Sequence, residues 1–337
     1  PDMYLPAYIC AVVGLIDQDE APLRMAARYA LAMSHLDHWC EGVIERFPGS
    51  RWTQRCFREA MATEACALVL DWAGAVLTEQ GRTVIRHAIA TKGLPPIHHD
   101  FLQHEYIHHC NQAVIFSRGR ILGLLALAQA WPRTADYLDM ALRDLQRAMA
   151  ATVLEDGGYG EPPGYFFVNA YWGMPPLVAM ARRLQRPVEE LLPAQLRRSI
   201  DFISAVASTA PPGTLVPYGD CFPALDLESV ALFARYLPDP RWTRLLHDRL
   251  TLLEREAAAG AKPHLSAVDG WTLALALGTD IGAGADPVVP VFRILPDTSQ
   301  LVSCRPCGDG YVRLQFIGSP RNCGHSHEDK SSFVLEA

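Results

Sequence analysis

The stretch HEYIHHCNQ, His104 to Gln112, contains the spelling His104-Glu105-x-x-His108. On an α-helix this spacing puts two imidazoles on one face, where they can hold a zinc ion, with the glutamate placed as a general base. Five histidines fall between His98 and His109, so such a match arises by chance more easily here than average composition implies. A zinc hydrolase would need a third ligand downstream, and it leaves a second histidine-rich stretch, GHSHEDKSSF, without a role. The plainer alternative is a polar helix end that leads into Asn111.

Three further stretches carry groups able to do chemistry. GHSHEDKSSFVLEA places His325 and His327 two residues apart, so in an extended segment both imidazoles point to one face. Such a pair can share a metal, or divide between a substrate and an ion; a polar hairpin with solvated histidines is the alternative. EDGGYGEPPGYFFVNAYW is a Gly/Pro-broken loop between helices that carries Tyr159, Glu161 and Tyr165. Loops held by a rigid scaffold concentrate binding residues, and a tyrosine there becomes an acid or a base if cationic neighbours lower its pKa from about 10. Aromatic packing at a helix start competes with that explanation. HHCNQAVIFSRGR offers Asn111 and Gln112 as neutral donors for a carboxylate, then Arg118 and Arg120 as charged ones. Here the alternative is an N-cap at Asn111 followed by a solvated basic face.

Helices must position most of these groups. Up to about Leu277 apolar residues recur at three- and four-residue spacing. The pattern runs through APLRMAARYALAMSHLDHWC, RWTQRCFREAMATEACALVLDWAGAVL, NQAVIFSRGRILGLLALAQAW and TADYLDMALRDLQRAMAATVL. It continues through VEELLPAQLRRSIDFISAVA, LESVALFARYL and RWTRLLHDRLTLLEREAAA, with short Gly/Pro/Asp punctuation between segments. Successive antiparallel helices with short loops predict a bundle, a solenoid or a closed α/α toroid. The character changes at GTDIGAGADPVVP, a linker over 278–290. Beyond it VFRIL, QLVSCRP, GYVRLQFIG and SSFVLEA are short β-type runs separated by turn residues. A few strands are too few for a self-sufficient sheet, so 291–337 is expected to be the N-terminal part of a truncated β domain, after a helical domain over 1–277.

The bulk numbers exclude some classes. The 337 residues carry a formal net charge of -7, so no global basic field attracts nucleic acid. YICAVVGLI is too short to span a bilayer, lacks the features of a signal peptide, and is expected to be a core helix. Nine cysteines, an odd count, have no framework spacing and are expected to be mostly buried; the close pair Cys304-x-x-Cys307 is a disulfide or a coincidence.

Taken together, the sequence resembles the heparinase II/III superfamily of polysaccharide lyases, which includes alginate lyases and dermatan sulfate epimerase. The matching pieces are CNQ at the start of a long helix, DGGYGEPPGY after the next one, PYGDC around Asp220, and LPDTSQLVSCR leading to GHSHEDKSSFVLEA. They follow the family's order over most of the chain, and the His-x-His-x-Asp-x-x-Ser-Phe ending is the most specific. The resemblance implies a mainly α fold: an incomplete (α/α) toroid followed by the beginning of an antiparallel β-sandwich domain. It also implies an anionic polysaccharide or oligosaccharide as partner. A periplasmic or secreted location follows from the family, while the lack of a visible signal peptide and the odd cysteine count leave a cytoplasmic one open.

Members of that family remove the C5 proton of a uronate and expel the C4 oxygen, leaving a C4–C5 double bond. The resemblance assigns Asn111 to neutralising the carboxylate, with Gln112 beside it. Many relatives have a histidine where Gln112 stands; glutamine donates a hydrogen bond but cannot take up a proton, which moves the proton chemistry elsewhere. Tyr165 matches the tyrosine that protonates the leaving oxygen, and that removes the C5 proton where elimination is syn. Glu161 is expected to orient the substrate or its loop, and His104, His108 and Arg118 to help hold an anionic sugar. His325 matches a histidine that reaches the cleft as base or carboxylate partner. His327 matches a ligand of a structural zinc in the β domain; no cofactor is required for the chemistry itself. A uronate C5-epimerase begins with the same proton abstraction and is the nearest alternative. A zinc hydrolase and a non-catalytic glycan-binding protein are more distant.

Overall fold

The computed structural model describes residues 3–39, 56–221, 223, 225–237, 239–260, 292–318 and 331–336. The helices among them are α1 (Tyr4–Asp17), α2 (Glu20–His35), α3 (Phe57–Trp72), α4 (Glu79–Ala88), α5 (Leu94–Gln103) and α6 (Asn111–Ala128). They continue as α7 (Leu138–Thr152), α8 (Pro163–Phe166), α9 (Met174–Leu184), α10 (Ser199–Val206), α11 (Leu227–Tyr236) and α12 (Pro240–Ala258). Four strands follow: β1 (Phe292–Leu295), β2 (Gln300–Cys307), β3 (Gly310–Ile317) and β4 (Ser332–Glu336). By internal contacts the chain forms two compact units, Pro1–Ala148 with Pro175–Leu184, and Met149–Met174 with Gln185–Ala337. The expected linker 278–290 lies outside the described residues, as do His325 and His327.

Local chemistry starts several helices. Asp19, Thr78, Asp226 and Asp239 each accept a hydrogen bond from a first-turn amide, at 2.9, 3.1, 3.0 and 2.9 Å. Each cap satisfies an N–H that the helix cannot pair internally. The periodic stretch VEELLPAQLRRSIDFISAVA departs from its single-helix expectation. Its first part forms 3-10 turns at Val188–Glu190 and Ala194–Arg198, and only α10 is a regular helix. Pro193 has no N–H to donate and disfavours helical geometry before it, which breaks the run.

In the first unit α6 is apolar on every side and buried along most of its length, the signature of a core helix. Gly119 makes that burial achievable: a Cβ there would sit 2.3 Å from the carbonyl oxygen of Ala60 on α3. Two arginines of α6 are buried with partners. Arg118, 1% exposed, forms an ion pair with buried Glu64 of α3, and Arg120 pairs with Asp144 of α7 at 2.5 Å. The solvated basic face expected as an alternative is therefore absent, because the surrounding surface of α6 is apolar and only matched charges can enter it. The core-helix expectation for YICAVVGLI holds for one face of α1. Ala7, Tyr8, Ala11 and Val12 are buried, while Leu5, Ile9, Val13 and Ile16 are exposed. No described helix is long and apolar enough to cross a membrane.

The second unit has an aromatic core. Phe166 lies parallel to Trp242 at 6.5 Å between ring centres and meets Phe233 at 5.3 Å, Tyr159 at 5.9 Å and Phe202 at 6.3 Å. The sheet is an antiparallel meander in the order β1-β2-β3-β4, with Gln300 opposite Ile317, Val302 opposite Gln315 and Cys304 opposite Arg313. Every β-type run of the sequence forms its strand. The buried face is mixed: Gln300, Arg313 and Gln315 are buried beside Val302, Cys304 and Ile317, whereas Phe292, Ile294, Phe316, Phe333 and Leu335 are exposed. Cys304 and Cys307 are both free, the first buried and the second exposed. An offset of three along a strand points them to opposite faces, which excludes a disulfide between them there.

Candidate active site

The zinc-peptidase helix does not form. Helix α5 stops at Gln103, His104 has φ -121° and ψ 85°, and Glu105–His109 is a 3-10 turn. The one-face register of two histidines four apart on an α-helix is lost in that tighter coil. Glu105, the would-be base, is exposed and held by Arg147 at 2.7 Å, with His109 at 3.6 Å. His108 is buried, its Nε2 lies 3.2 Å from the carbonyl oxygen of Phe101, and its ring meets the Phe101 ring edge-on at 5.4 Å. His98 is kept neutral by burial and by the nearby Arg120, which together pull it down to about 4.

Asn111 and Gln112 open α6, and the N-cap is Cys110 in extended geometry, so the alternative of an N-cap at Asn111 does not hold. The Cys110 side chain makes no cap bond there, and Asn111, the first helical residue, is 7% exposed. Gln112 presents a buried Oε1 without a hydrogen-bond partner. Two side-chain amides thus stand beside the unpaired first-turn N–H groups of an 18-residue helix, whose dipole favours a negative charge there. Of the other residues expected to hold the sugar from this unit, Arg118 serves the interior: reaching a solvated anion would mean abandoning buried Glu64. His108 is likewise buried within the 3-10 turn, while His104 stays partly accessible at the end of α5.

In the second unit the loop before α8 is fixed by its own backbone. Val153 pairs with Tyr159 in an antiparallel bridge, and Leu154 N–H donates to Gly158 O at 2.8 Å. Asp156 and Asp297 exchange amide-to-carboxylate bonds, 3.0 Å from Asp156 N–H and 2.9 Å from Asp297 N–H. Gly157 has φ +82°, and a Cβ there would lie 2.4 Å from the Arg198 carbonyl group. Pro162 caps the single turn of α8, on which fully buried Phe166 anchors the aromatic core and leaves its neighbour Tyr165 at the margin, partly exposed.

Among the described residues, the charges that shift Tyr165 are acidic. Burial first, then the charges of Asp220 and Glu161, push its phenol above the usual value near 10.0. The direction is opposite to a cationic lowering and favours the protonated phenol, a proton donor. Gly164 N–H donates to the Cys221 sulfur at 3.2 Å, and burial pushes that thiol up to about 11. The PYGDC stretch that carries Asp220 is tied to the sheet. Gln300 Nε2 donates to the Tyr218 phenol at 2.6 Å, Gln315 to Gln300 at 3.0 Å, and Arg313 to Gln315 at 2.9 Å. Arg313 also pairs with Glu336 at 3.1 Å, and Glu336 accepts from Ser208 at 2.7 Å. The PYGDC motif by itself assigns no role to Asp220 or Tyr218; the first acts on Tyr165 by its charge, and the second accepts from Gln300 in this network. The structure thus brings Asn111 together with Gln112 in one unit, and Tyr165 with Glu161 and Asp220 in the other. His325, and His327 with its implied zinc, lie outside the described residues.

No family model matches the sequence. No curated protein matches it either. Among solved structures, one described as a heparinase III gene product is similar, with a TM-score of 0.57 and 12% identity over 98% of this chain and 48% of that one. The chain therefore spans about half the length of that protein. The likeness defines the fold: mainly helical with antiparallel strands at the C-terminal end, the expected class of an α/α toroid followed by β-sandwich strands. The architecture is heparinase-like, and the identity is too low to carry an activity with it.

Proposed function

We propose that this chain belongs to a polysaccharide lyase that cleaves a uronic-acid-containing polysaccharide, of glycosaminoglycan or alginate type, by β-elimination. The observation that carries the reading is the amide pair Asn111–Gln112 at the N-terminal end of buried helix α6, within a heparinase-like fold. A uronate C5 proton is not acidic while the carboxylate keeps its full negative charge, because the intermediate gains a second one. Neutral donors aimed at the carboxylate are the first requirement, and two amides plus a helix N-terminus supply them.

In this mechanism Asn111 and Gln112 hold the carboxylate. His325 removes the C5 proton, the C–H electron pair becomes the C4–C5 double bond, and the C4–O bond breaks. Tyr165 gives its proton to the departing oxygen. The acidic surroundings of Tyr165 support that direction of transfer, since Asp220 and Glu161 disfavour a phenolate. Glu161, 8% exposed beside Tyr165, positions that loop.

The test is ultraviolet absorbance of the new C4–C5 double bond during incubation with a panel of uronate polysaccharides. One polymer should give a rising signal, and Tyr165→Phe should lower the rate by roughly two to four powers of ten without loss of fold. Because the phenol is raised, activity should show no alkaline loss from Tyr165 below about pH 10. Full turnover in Tyr165→Phe sinks the mechanism. A flat trace with deuterium incorporated from solvent at C5 would replace the lyase by an epimerase.

A further inference from the structure

We propose that His99 Nδ1, Asp100 Oδ1 and His104 Nε2 form a binding site for one divalent cation of the zinc type, clamping the C-terminal end of α5. All three ligand atoms lie within 4.8 Å of one another, inside the first compact unit. Asp100 Oδ1 is at the centre, 4.0 Å from His99 Nδ1 and 3.9 Å from His104 Nε2. Those separations are too long for hydrogen bonds. They are close to the ligand-to-ligand spacing around a zinc ion, whose bonds to imidazole and carboxylate are about 2.0–2.2 Å. The imidazoles need to swing inward by only about half an ångström to close a tetrahedral edge.

The polar bookkeeping of the site points the same way. Asp100 is 1% exposed, and both its Oδ1 and the His104 Nε2 are buried without a hydrogen-bond partner. A buried carboxylate oxygen facing two imidazole nitrogens without a hydrogen bond to either is costly unless a positive charge compensates it. The other carboxylate oxygen is already oriented, accepting from the Cys56 amide at 3.3 Å, as an outer-shell contact to a ligand should be. His99 lies at the exposed edge, with a side chain 55% accessible, which provides the route of access and leaves a coordination position for water. Two neutral imidazoles and one carboxylate suit zinc better than calcium or magnesium, which prefer all-oxygen sets.

His104 is the residue at which α5 ends and the 3-10 turn toward Asn111 begins. A cation held there fixes that backbone break, so its role is a staple of the α5–α6 connection. It is not a hydrolase centre, because Glu105 is tied to Arg147. The site is independent of the lyase reading.

The test is calorimetric titration of the chelator-stripped chain with Zn2+ at neutral pH, repeated for His99→Ala, Asp100→Asn and His327→Ala. One equivalent should disappear, or weaken by more than the roughly 10- to 100-fold that loss of an outer-shell partner costs, in both His99→Ala and Asp100→Asn. His327→Ala should leave that equivalent intact. His99→Ala, at an exposed position, keeps the comparison valid if Asp100→Asn unfolds, and circular dichroism checks each variant. Zinc binding unchanged in His99→Ala, or no binding to the stripped chain, overturns the site.

Discussion

The segment leading to Asn111 and the loop leading to Tyr165 hold their polar residues by opposite means. Helix α6, behind Asn111, is locked by side chains: a buried Arg118–Glu64 ion pair, Arg120–Asp144, and Gly119 pressed on Ala60. The loop before Tyr165 is locked by backbone: a bridge at Val153 and Tyr159, the Asp156–Asp297 exchange, and Gly157 at positive φ. A regular helix satisfies its own N–H and C=O groups, so its side chains are free to fix its position. An irregular loop must spend side chains and special conformations on satisfying its backbone first. Precision at the two places therefore depends on different kinds of residue.

The sharpest way to break this contrast is at the ion pair. Glu64→Leu strands Arg118 in an apolar interior and should cost about 3–5 kcal/mol, whereas Glu64→Leu with Arg118→Met should recover most of that loss. Urea unfolding of the three proteins measures both; a mild single-variant effect would mean that Arg118 finds another partner. On the loop side, Gly157→Ala combines a left-handed backbone with a collision at Arg198 and should cost about 2–4 kcal/mol, read as a drop in unfolding midpoint. If alanine is tolerated there, the loop is not backbone-locked.

The smallest effect compares two buried carboxylates. Burial pushes both upward: Glu64 against the opposing pull of Arg118 in contact, and Glu228 on α11 up to about 7, by burial first and then by Asp226. A carboxyl raised in the folded chain contributes its full stability below the unfolded value near 4.5, and loses it as pH rises through about 7. Stability should fall by on the order of 1–3 kcal/mol between pH 5 and pH 8 from this group. In Glu228→Gln that part of the decline should vanish from the pH dependence of unfolding.

Much of the architecture was legible in the sequence. The four β-type runs all form strands, and α2, α3, α6, α7, α11 and α12 lie where apolar spacing put them. Periodicity reports burial of one face, and these elements are long or regular enough for it to dominate. It failed over 188–207, where Pro193 interrupts a helical pattern, and at His104, where a metal-helix spelling meets a helix end. It also could not say which sheet face is buried, since Gln300, Arg313 and Gln315 earn their places through bonds to one another and to Tyr218.

For the candidate site, residue types were readable and environments were not. The sequence alone determined that amides start a long apolar helix and that a tyrosine follows a Gly/Pro loop, because both are local facts of order and composition. Only the tertiary structure decided that Arg118 serves Glu64, that Asp220 and Glu161 keep Tyr165 protonated, and that Asp100 faces His99 and His104. Those outcomes depend on burial and on the distance between residues from separate elements or successive turns. The local order of residues does not encode the desolvation and field that set a group's charge.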